Sequence, residues 1–429
     1  MEPQAGAQQE QSQSGGQAIT VHANSIHPSN ELLEQGRSAV VEVFWTALKL
    51  GLTSFGGPSA HIGYFRNEYV ERKRWLSEGT FAELTALCQF LPGPASSQLG
   101  MAIGMRRAGS AGAAAAWLGF TLPSALLMFL FAYAAGSSSI AGAGWLQGLK
   151  LAAVAIVASA VWSMSTTLAP DRKRATLAIS AACAALLLPG VWGQLIPLVV
   201  CAAIGLAWLQ APEAAVTSAP AIPAQRRRYG AWLALTIFVI LMGLLPLAAR
   251  TMDSPLISLA DNTYRAGALV FGGGHVVLPM LEQEVVGAAG GLTTEQFMAG
   301  YGAVQAVPGP LFTFAAYIGA AMTEGPQRML YAAVAIAFIF LPSYLLLAGA
   351  LPYWSSLQRS KRARTALMGV NAGVVGLLLA ALYNPVWIDT VKQPLHFVMV
   401  LLAFLMLHLW RRQPWQVVLF AATAGLLFL

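Results

Sequence analysis

One sequence pattern occurs twice in this chain of 429 residues, and it constrains the fold more than any other feature. The shared motifs are, in chain order, FGG at 55–57 and 271–273, PGP at 92–94 and 308–310, and LPS at 122–124 and 341–343. From FGG to PGP the two copies align without a gap, with residue 55 on residue 271. Three shared motifs in one order indicate an internal repeat, so the fold contains the same structural unit twice.

The apolar composition of the chain places both copies in a membrane. The chain is 57% hydrophobic and only 10% charged, with a mean hydropathy of +0.61, whereas soluble domains carry about 25% charged residues. Apolar runs such as 232–249 and 394–410 approach the roughly 20 residues that cross a bilayer. The sequence therefore predicts an all-α polytopic membrane protein with about 13 membrane segments, in contact with the lipid bilayer.

The basic residues indicate membrane topology, and no nucleic-acid partner is expected. The net charge is +7, and lysines and arginines cluster between apolar segments, as in cytoplasmic loops of membrane proteins. The connection between FGG and PGP is basic in the first copy (Arg66 and 72–74) and acidic in the second (Glu282, Glu284 and Glu295). Opposite charge predicts inverted repeats in a multi-pass protein, with a cytoplasmic N-terminus and an external C-terminus.

The predicted organisation has two repeats joined by a linker and one extra helix. The segments are a disordered cytoplasmic tail (1–36), a first repeat (37–210), a basic linker (211–229), a connecting transmembrane helix (230–250) and a second, inverted repeat (251–429). Beyond the FGG and PGP regions, the predicted spans are 110–135, 141–168, 174–188, 190–209, 230–249, 327–351, 365–385, 394–410 and 414–429. The single connecting helix inverts the second repeat relative to the first.

The FGG and PGP motifs predict broken helices within the membrane. A glycine costs about 1 kcal/mol in a helix interior and a proline about 3 kcal/mol. Irregular backbone occurs at membrane depth only where protein or a water-filled cavity satisfies its polar groups. A helix that restarts after a break presents free N–H groups and a partial positive charge, which favour an anion. Inverted repeats with such breaks are typical of transporters that bind their substrate near the midplane.

The paired motifs FGGPSAHI and FGGGHVVLP, with QFLPGP and QAVPGP, resemble the chromate ion transporter family, long bidomain type, over residues 40–429. The resemblance implies export of chromate, a divalent oxyanion, across the bacterial inner (plasma) membrane by a proton-driven antiporter that confers chromate resistance. A transporter of sulfate or of another oxyanion, or an uncoupled anion channel, stays open as an alternative, as does a homodimer. The sequence has no HExxH, Walker A, nucleophile elbow or metal-ligand cluster, so it predicts neither an enzyme nor a cofactor.

Two cations are the first candidate substrate ligands. Lys49 and Arg265 occupy equivalent positions, six residues before their FGG motifs, inside apolar stretches. Buried cations in membrane segments are expensive and usually functional, and two of them suit a divalent oxyanion. The alternative is snorkelling to an interface, or a salt bridge with Glu42 or Asp261.

The breaks supply further candidates, each with a structural alternative. The candidate substrate-binding residues are Gly56, Gly57, His61, Gln89, Gly93, Ser96, Ser97, Gly272, Gly273, His275, Gln305, Gly309 and Thr313. The glycines allow close backbone approach to a ligand. The histidines can donate to an oxyanion or relay protons, or they tie the breaks together. The glutamines and hydroxyls can bind the ligand, or they satisfy and cap the broken backbone.

Carboxylates are candidates for proton coupling. Glu83 lies on the arm that enters the first PGP, where the second repeat has Ala299, and this asymmetry makes it the candidate proton carrier. Glu68 and Glu284 are equivalent to each other but lie in polar connections, which favours pairing at helix ends over coupling.

Overall fold

The computed structural model describes residues 28–135, 144–188, 192–210, 228–270, 281–282, 284–286 and 291–429. Its principal helices are α1 (Pro28–Thr53), α2 (Gly57–Arg66), α3 (Glu78–Phe90), α4 (Ala95–Ala135), α5 (Gly144–Leu168), α6 (Arg172–Leu187), α7 (Trp192–Trp208), α8 (Arg228–Thr251), α9 (Pro255–Leu269), α10 (Thr294–Val304), α11 (Phe314–Ala321), α12 (Gln327–Ala350), α13 (Lys361–Ala381), α14 (Pro394–His408) and α15 (Pro414–Phe428). Helix α1 begins within the segment assigned to the tail, and linker residues 211–227 lie outside the described ones.

The helices confirm an all-α polytopic membrane protein. Within the described residues, five helical segments have the length and apolar composition to cross a membrane: Ala95–Ala135, Gly144–Leu168, Tyr229–Thr251, Gln327–Tyr353 and Lys361–Thr390. Shorter apolar helices, among them α7, α14 and α15, add to these. Residues Ala39–Leu429 form one compact unit, to which the architecture below refers; Met1–Ser38 form the other.

The FGG and PGP motifs of the first repeat lie at the tips of two helical hairpins, which we call the first hairpin pair. It comprises α1 from residue 39, α2, α3 and α4 up to Arg107. The carboxylate of Glu42, early in α1, bonds to Lys73 beyond α2 at 3.0 Å and to Arg107 at 3.1 Å. Arg66 pairs with Glu78 at the start of α3. All four arms therefore have their outer ends together, at what we call the base.

The second hairpin pair, of which α9, α10, α11 and residues 281–282 and 284–286 are described, faces the first from the opposite end. Helix α4 breaks at Ala108 and Gly109, whose φ is +63°, and its longer arm then leaves the first base. Halfway along, Ser124 lies against Gly309 of the second PGP. Near its end, Tyr133 meets the start of α12: the Arg328 guanidinium lies 5.4 Å from the centroid of the Tyr133 ring.

Helix α12 runs in the opposite direction, from the second hairpin pair to the base of the first. It begins against α11, where Gly319 faces the carbonyl of Tyr331, and Ser343 lies midway against Gly93. Just beyond its end, Leu351 and Pro352 line a cavity together with Met105 and Gly109, at the base of the first hairpin pair. The two hairpin pairs therefore point at each other tip to tip, which is the inverted arrangement that the sequence predicts.

The outer helices interlock the two repeats. Helix α5 of the first repeat packs on α14 and α15 of the second, and Gly148 faces the carbonyl of Ala421. Helix α13 of the second repeat packs on α6 and α7 of the first, and its Gly369 faces the carbonyl of Cys201. Small residues allow backbones to approach closely in membrane helix packing. The connecting helix α8 lies on α9 and α12.

Candidate functional site at the hairpin tips

The two PGP glycines join the tips by a crossed pair of backbone hydrogen bonds. Gly93 N–H donates to the carbonyl of Val270 at 2.6 Å, and Gly309 N–H donates to the carbonyl of Ser54 at 2.8 Å. Gly93 and Gly309 are equivalent in the repeat, as are Ser54 and Val270, the residues just before each FGG. Each PGP is therefore held by the residue that precedes the other repeat's FGG.

Only glycine fits at these two positions. Gly93 has φ +119° and Gly309 has φ +97°, in the left-handed region that side chains disfavour. A Cβ on Gly93 would overlap Ser343 Oγ, and a Cβ on Gly309 would lie 2.8 Å from Ser124 Oγ. The sequence predicts that these glycines allow a ligand to approach the backbone closely. In the structure, the atoms that approach them belong to the LPS motif of the other repeat. Contact with a ligand stays a prediction.

Buried polar atoms without hydrogen-bond partners concentrate near the tips. Among the described residues, those near the tips are Ser54 Oγ, Ser97 Oγ, Gln98 Oε1, Thr121 Oγ1 and Ser343 Oγ. Leaving such an atom unpaired costs about 1–3 kcal/mol, and buried polar groups normally have a protein or water partner. The tips are therefore built to receive polar ligand atoms or water.

The first FGG break carries an uncapped helix start. Gly56 (φ +97°) precedes α2, which has no side-chain cap, and Pro58 occupies its first turn as the sequence predicts. A Cβ on Gly57 would meet no atom within 4 Å, whereas one on Gly56 would lie 2.9 Å from Gln413 Oε1. The N–H groups at the start of a helix lack partners within it, so this break offers bare donors.

His61 ties the FGG break to the PGP helix. Its ring is 1% exposed, Nδ1 lies 3.2 Å from Ser96 Oγ, and its edge packs on Phe120. This contact agrees with the structural alternative for His61, in which the histidine holds the break together. The equivalent break of the second repeat, with Gly272, Gly273 and His275, lies outside the described residues.

Both candidate cations pair with carboxylates, at matching positions. Lys49 Nζ lies 3.0 Å from Glu68, and the Arg265 guanidinium lies 2.8 Å from Glu284. Both pairs span 19 residues, so the repeat preserves the ion pair. Arg265 also contacts Asp261 at 2.9 Å, which is one of the salt bridges that the sequence left open.

Glu42 is not the partner of Lys49, because Lys73 and Arg107 occupy its carboxylate. Glu68 takes that place instead, and Arg72 bonds to it as well. The two equivalent carboxylates, Glu68 and Glu284, thus pair with cations, as the sequence reading favoured.

The remaining candidates differ between the two repeats. Gln305 is 6% exposed, whereas its equivalent Gln89 is exposed and Glu83 is half-buried. Ser97 is buried and unpartnered, whereas the hydroxyl of its equivalent, Thr313, donates to the carbonyl of Pro310 at 2.8 Å.

Three buried residues at the tips were missed by the sequence reading: Ser54, Gln98 and Ser343. Gln98 Nε2 donates to the Pro92 carbonyl at 2.7 Å and so holds the first PGP loop. Ser343 belongs to the LPS motif, which served as a repeat marker, and its recurrence was the available signal. Ser54 directly precedes FGG, and nothing in the sequence distinguishes it. Its position at the tip is seen only from the hydrogen bond that its carbonyl accepts from Gly309 N–H.

Two inverted helical repeats, whose broken helices meet in the interior, define a membrane transporter. The chain belongs to the chromate transporter family: the family model, described as "Chromate transporter", matches residues 41–208 and 257–426. The two matched segments correspond to the two repeats of the structure.

Similar proteins come from several bacteria. A "Chromate transport protein" of Pseudomonas aeruginosa is 32% identical over 350 residues, 79% of each chain. A "Chromate transport protein" of Cupriavidus metallidurans is 28% identical and covers 78% of this chain and 79% of its own. A "Probable chromate transport protein" of Synechococcus elongatus is 27% identical, covering 78% and 81%. No solved structure gives a significant match to the chain.

Proposed function

We propose that this protein exports chromate from the cytoplasm across the bacterial inner membrane, driven by the proton gradient, and thereby confers chromate resistance. The family and the names of the relatives supply the substrate. The observation that carries the proposal is the meeting of the two hairpin pairs, where unpaired hydroxyl and amide groups are buried beside broken helices. Such groups and free helix N–H groups suit the oxygens of an oxyanion.

The direction of export rests on the charges at the two bases. Exposed Arg66, Arg72 and Arg74 lie at the base of the first hairpin pair, which the positive-inside rule places in the cytoplasm. A basic entrance raises the local concentration of anions. The second base carries Asp261, Glu284 and Glu295 with Arg265, and it faces outward together with the C-terminus.

The candidates for proton coupling are His61, which lies near the first break, and Glu83 on α3. His61 contacts the first turn of α4 through Ser96, and histidine is the side chain that titrates nearest to neutral pH. Antiport requires one of these two groups to exchange a proton as the anion leaves.

The test uses everted membrane vesicles, in which an exporter takes up chromate from the medium. We expect uptake that a protonophore stops and that strains lacking the protein do not show. Uptake that persists unchanged without the gradient would establish an uncoupled anion channel instead.

Excess sulfate in the same assay tests selectivity, because sulfate and chromate share charge and shape. Chromate uptake that falls only slightly supports a chromate transporter. A protein that takes up sulfate and excludes chromate would contradict the proposed substrate.

A further inference from the structure

We propose that the oxyanion binds at one PGP tip only, the first, where it is held by the start of α4 and by Ser343 from the other repeat. This site deepens the proposed transport function and rests on it. The proposal assigns ligand contact to Ser343. This residue belongs to the repeated LPS motif, but the repeat by itself does not indicate a role for it. The proposal also makes the two pseudo-symmetric tips unequal in binding.

The donors at the first tip converge from both repeats. A Cβ on Gly93 would meet Ser343 Oγ and Gln98 Nε2, so the Ser343 hydroxyl lies directly beside the first PGP. Ser97, in the first turn of α4, and Ser343 are 2% and 0% exposed, and neither hydroxyl has a partner. With the free N–H groups at the start of α4, they form a set of buried donors.

The side chain of Gln98 completes this tip. Its Nε2 is committed to the Pro92 carbonyl, which fixes the loop around the donors. Its Oε1 is buried without a partner, and it can accept a hydrogen bond from a bound water or from a protonated oxygen of the ligand. His61 holds the adjacent Ser96 and so positions the first turn of α4.

The second tip lacks this set. The residues equivalent to Ser96 and Gln98 are Phe312 and Phe314, each 1% exposed. The Thr313 hydroxyl is spent on Pro310, and the Ser124 hydroxyl donates to the Thr121 carbonyl at 3.1 Å. Two aromatic rings therefore stand where the first tip has a hydroxyl and an amide, so the helix start after the second PGP offers an anion fewer side-chain donors than the start of α4. The two tips therefore share the same backbone hydrogen bonds, whereas the side chains that would bind the anion lie at the first tip.

The experiment compares Ser343→Ala with its equivalent in the other repeat, Ser124→Ala, and adds Ser97→Ala. Uptake kinetics are measured in everted vesicles, and the thermal stabilisation of purified protein is measured with chromate, sulfate and phosphate. Hydrogen bonds to charged groups support an expected rise in KM of about tenfold or more for Ser343→Ala and for Ser97→Ala. Ser124→Ala should change KM less than about twofold, because its hydroxyl is bonded within its own helix.

Equal effects of Ser343→Ala and Ser124→Ala, or no effect of Ser343→Ala and Ser97→Ala, would overturn the one-sided site. With transport of chromate intact in the wild type, such a result leaves the proposed function standing. A wild-type protein that neither carries nor is stabilised by any of the three oxyanions would overturn both proposals. Equal unfolding temperatures of the variants without ligand show that the serines act on binding and not on folding.

Discussion

Lys49 and Arg265 have equivalent positions but unequal surroundings. The Lys49 side chain is 52% exposed, and its partner Glu68 keeps a second cation in Arg72. Arg265 is 23% exposed and is shared by Asp261, itself 5% exposed, and Glu284. Removing Arg265 leaves a buried carboxylate without its cation, whereas removing Lys49 does not.

This difference predicts separate effects on folding and on transport. Arg265→Gln should destabilise the protein by about 3–5 kcal/mol, as when a buried ion pair loses one partner. Lys49→Gln should cost only about 0–1 kcal/mol, because Lys49 is the exposed partner and Arg72 still pairs with Glu68, yet it should abolish chromate uptake. Thermal unfolding in detergent and uptake by everted vesicles measure the two quantities.

A double variant separates ligand contact from ion pairing at Lys49. If Lys49 only neutralises Glu68, then Lys49→Gln with Glu68→Gln should restore uptake, since neither charge remains. We expect the double variant to stay inactive because Lys49 is a predicted substrate ligand. Recovered uptake would assign Lys49 a structural role.

At the scale of elements, α4 is two helices joined by a break. Its first arm returns to the base of the first hairpin pair, and its second crosses the molecule. The join is Ala108 and Gly109, and Gly109 has φ +63° and ψ −153°, a conformation almost confined to glycine. A Cβ added to Gly109 would meet no atom within 4 Å, so its constraint is purely one of backbone.

Gly109→Ala should therefore lower the apparent Tm through backbone strain alone, at a cost of about 1–3 kcal/mol. Gly63→Ala is the matched control. Gly63 lies within α2 and an added Cβ there also meets no atom, so alanine should maintain or slightly raise stability. An unchanged Tm in Gly109→Ala would show that α4 can straighten at this point.

Helix ends show where sequence reasoning succeeded and where it failed. The breaks at PGP and the start of α2 were predicted, because glycine and proline act locally. The predicted spans begin at 174 and 365, whereas α6 and α13 begin at Arg172 and Lys361, because a basic cluster in the sequence indicates a loop. Asp171 and Ser360 accept hydrogen bonds from Arg174 N–H and Ala363 N–H, so these caps draw the basic residues into the first turns.

At the scale of the whole molecule, the sequence predicted inversion but not interlocking. Charge in the connections distinguishes two orientations, since that signal is local to each loop. The pairing of α5 with α15, and of α13 with α7, depends on which apolar faces meet. Residues buried among helices and residues facing lipid are equally apolar, so hydropathy alone does not select partners.

The inverted fold predicts that equivalent residues at the two bases face opposite sides of the membrane. Gly79 and Glu295 are equivalent and exposed. An impermeant thiol reagent applied to intact cells should label Glu295→Cys, and it should label Gly79→Cys only in everted vesicles. Both variants carry Cys183→Ser, because Cys183 is exposed and would itself react with the reagent. Cys88 and Cys201 are buried and are left in place. Labelling of both positions from one side would contradict the inversion.

The crossed hydrogen bonds have a consequence for ancestry. Gly93 N–H and the Val270 carbonyl lie on different repeats, and so do Gly309 N–H and the Ser54 carbonyl. If the repeats arose by duplication of a single-repeat gene, that gene encoded a donor and an acceptor that, in this structure, pair between the two copies. Two copies inserted in opposite orientations could have exchanged them. The ancestral transporter would then have been an antiparallel dimer of one chain, and the connecting helix α8 fixed that pairing within a single polypeptide.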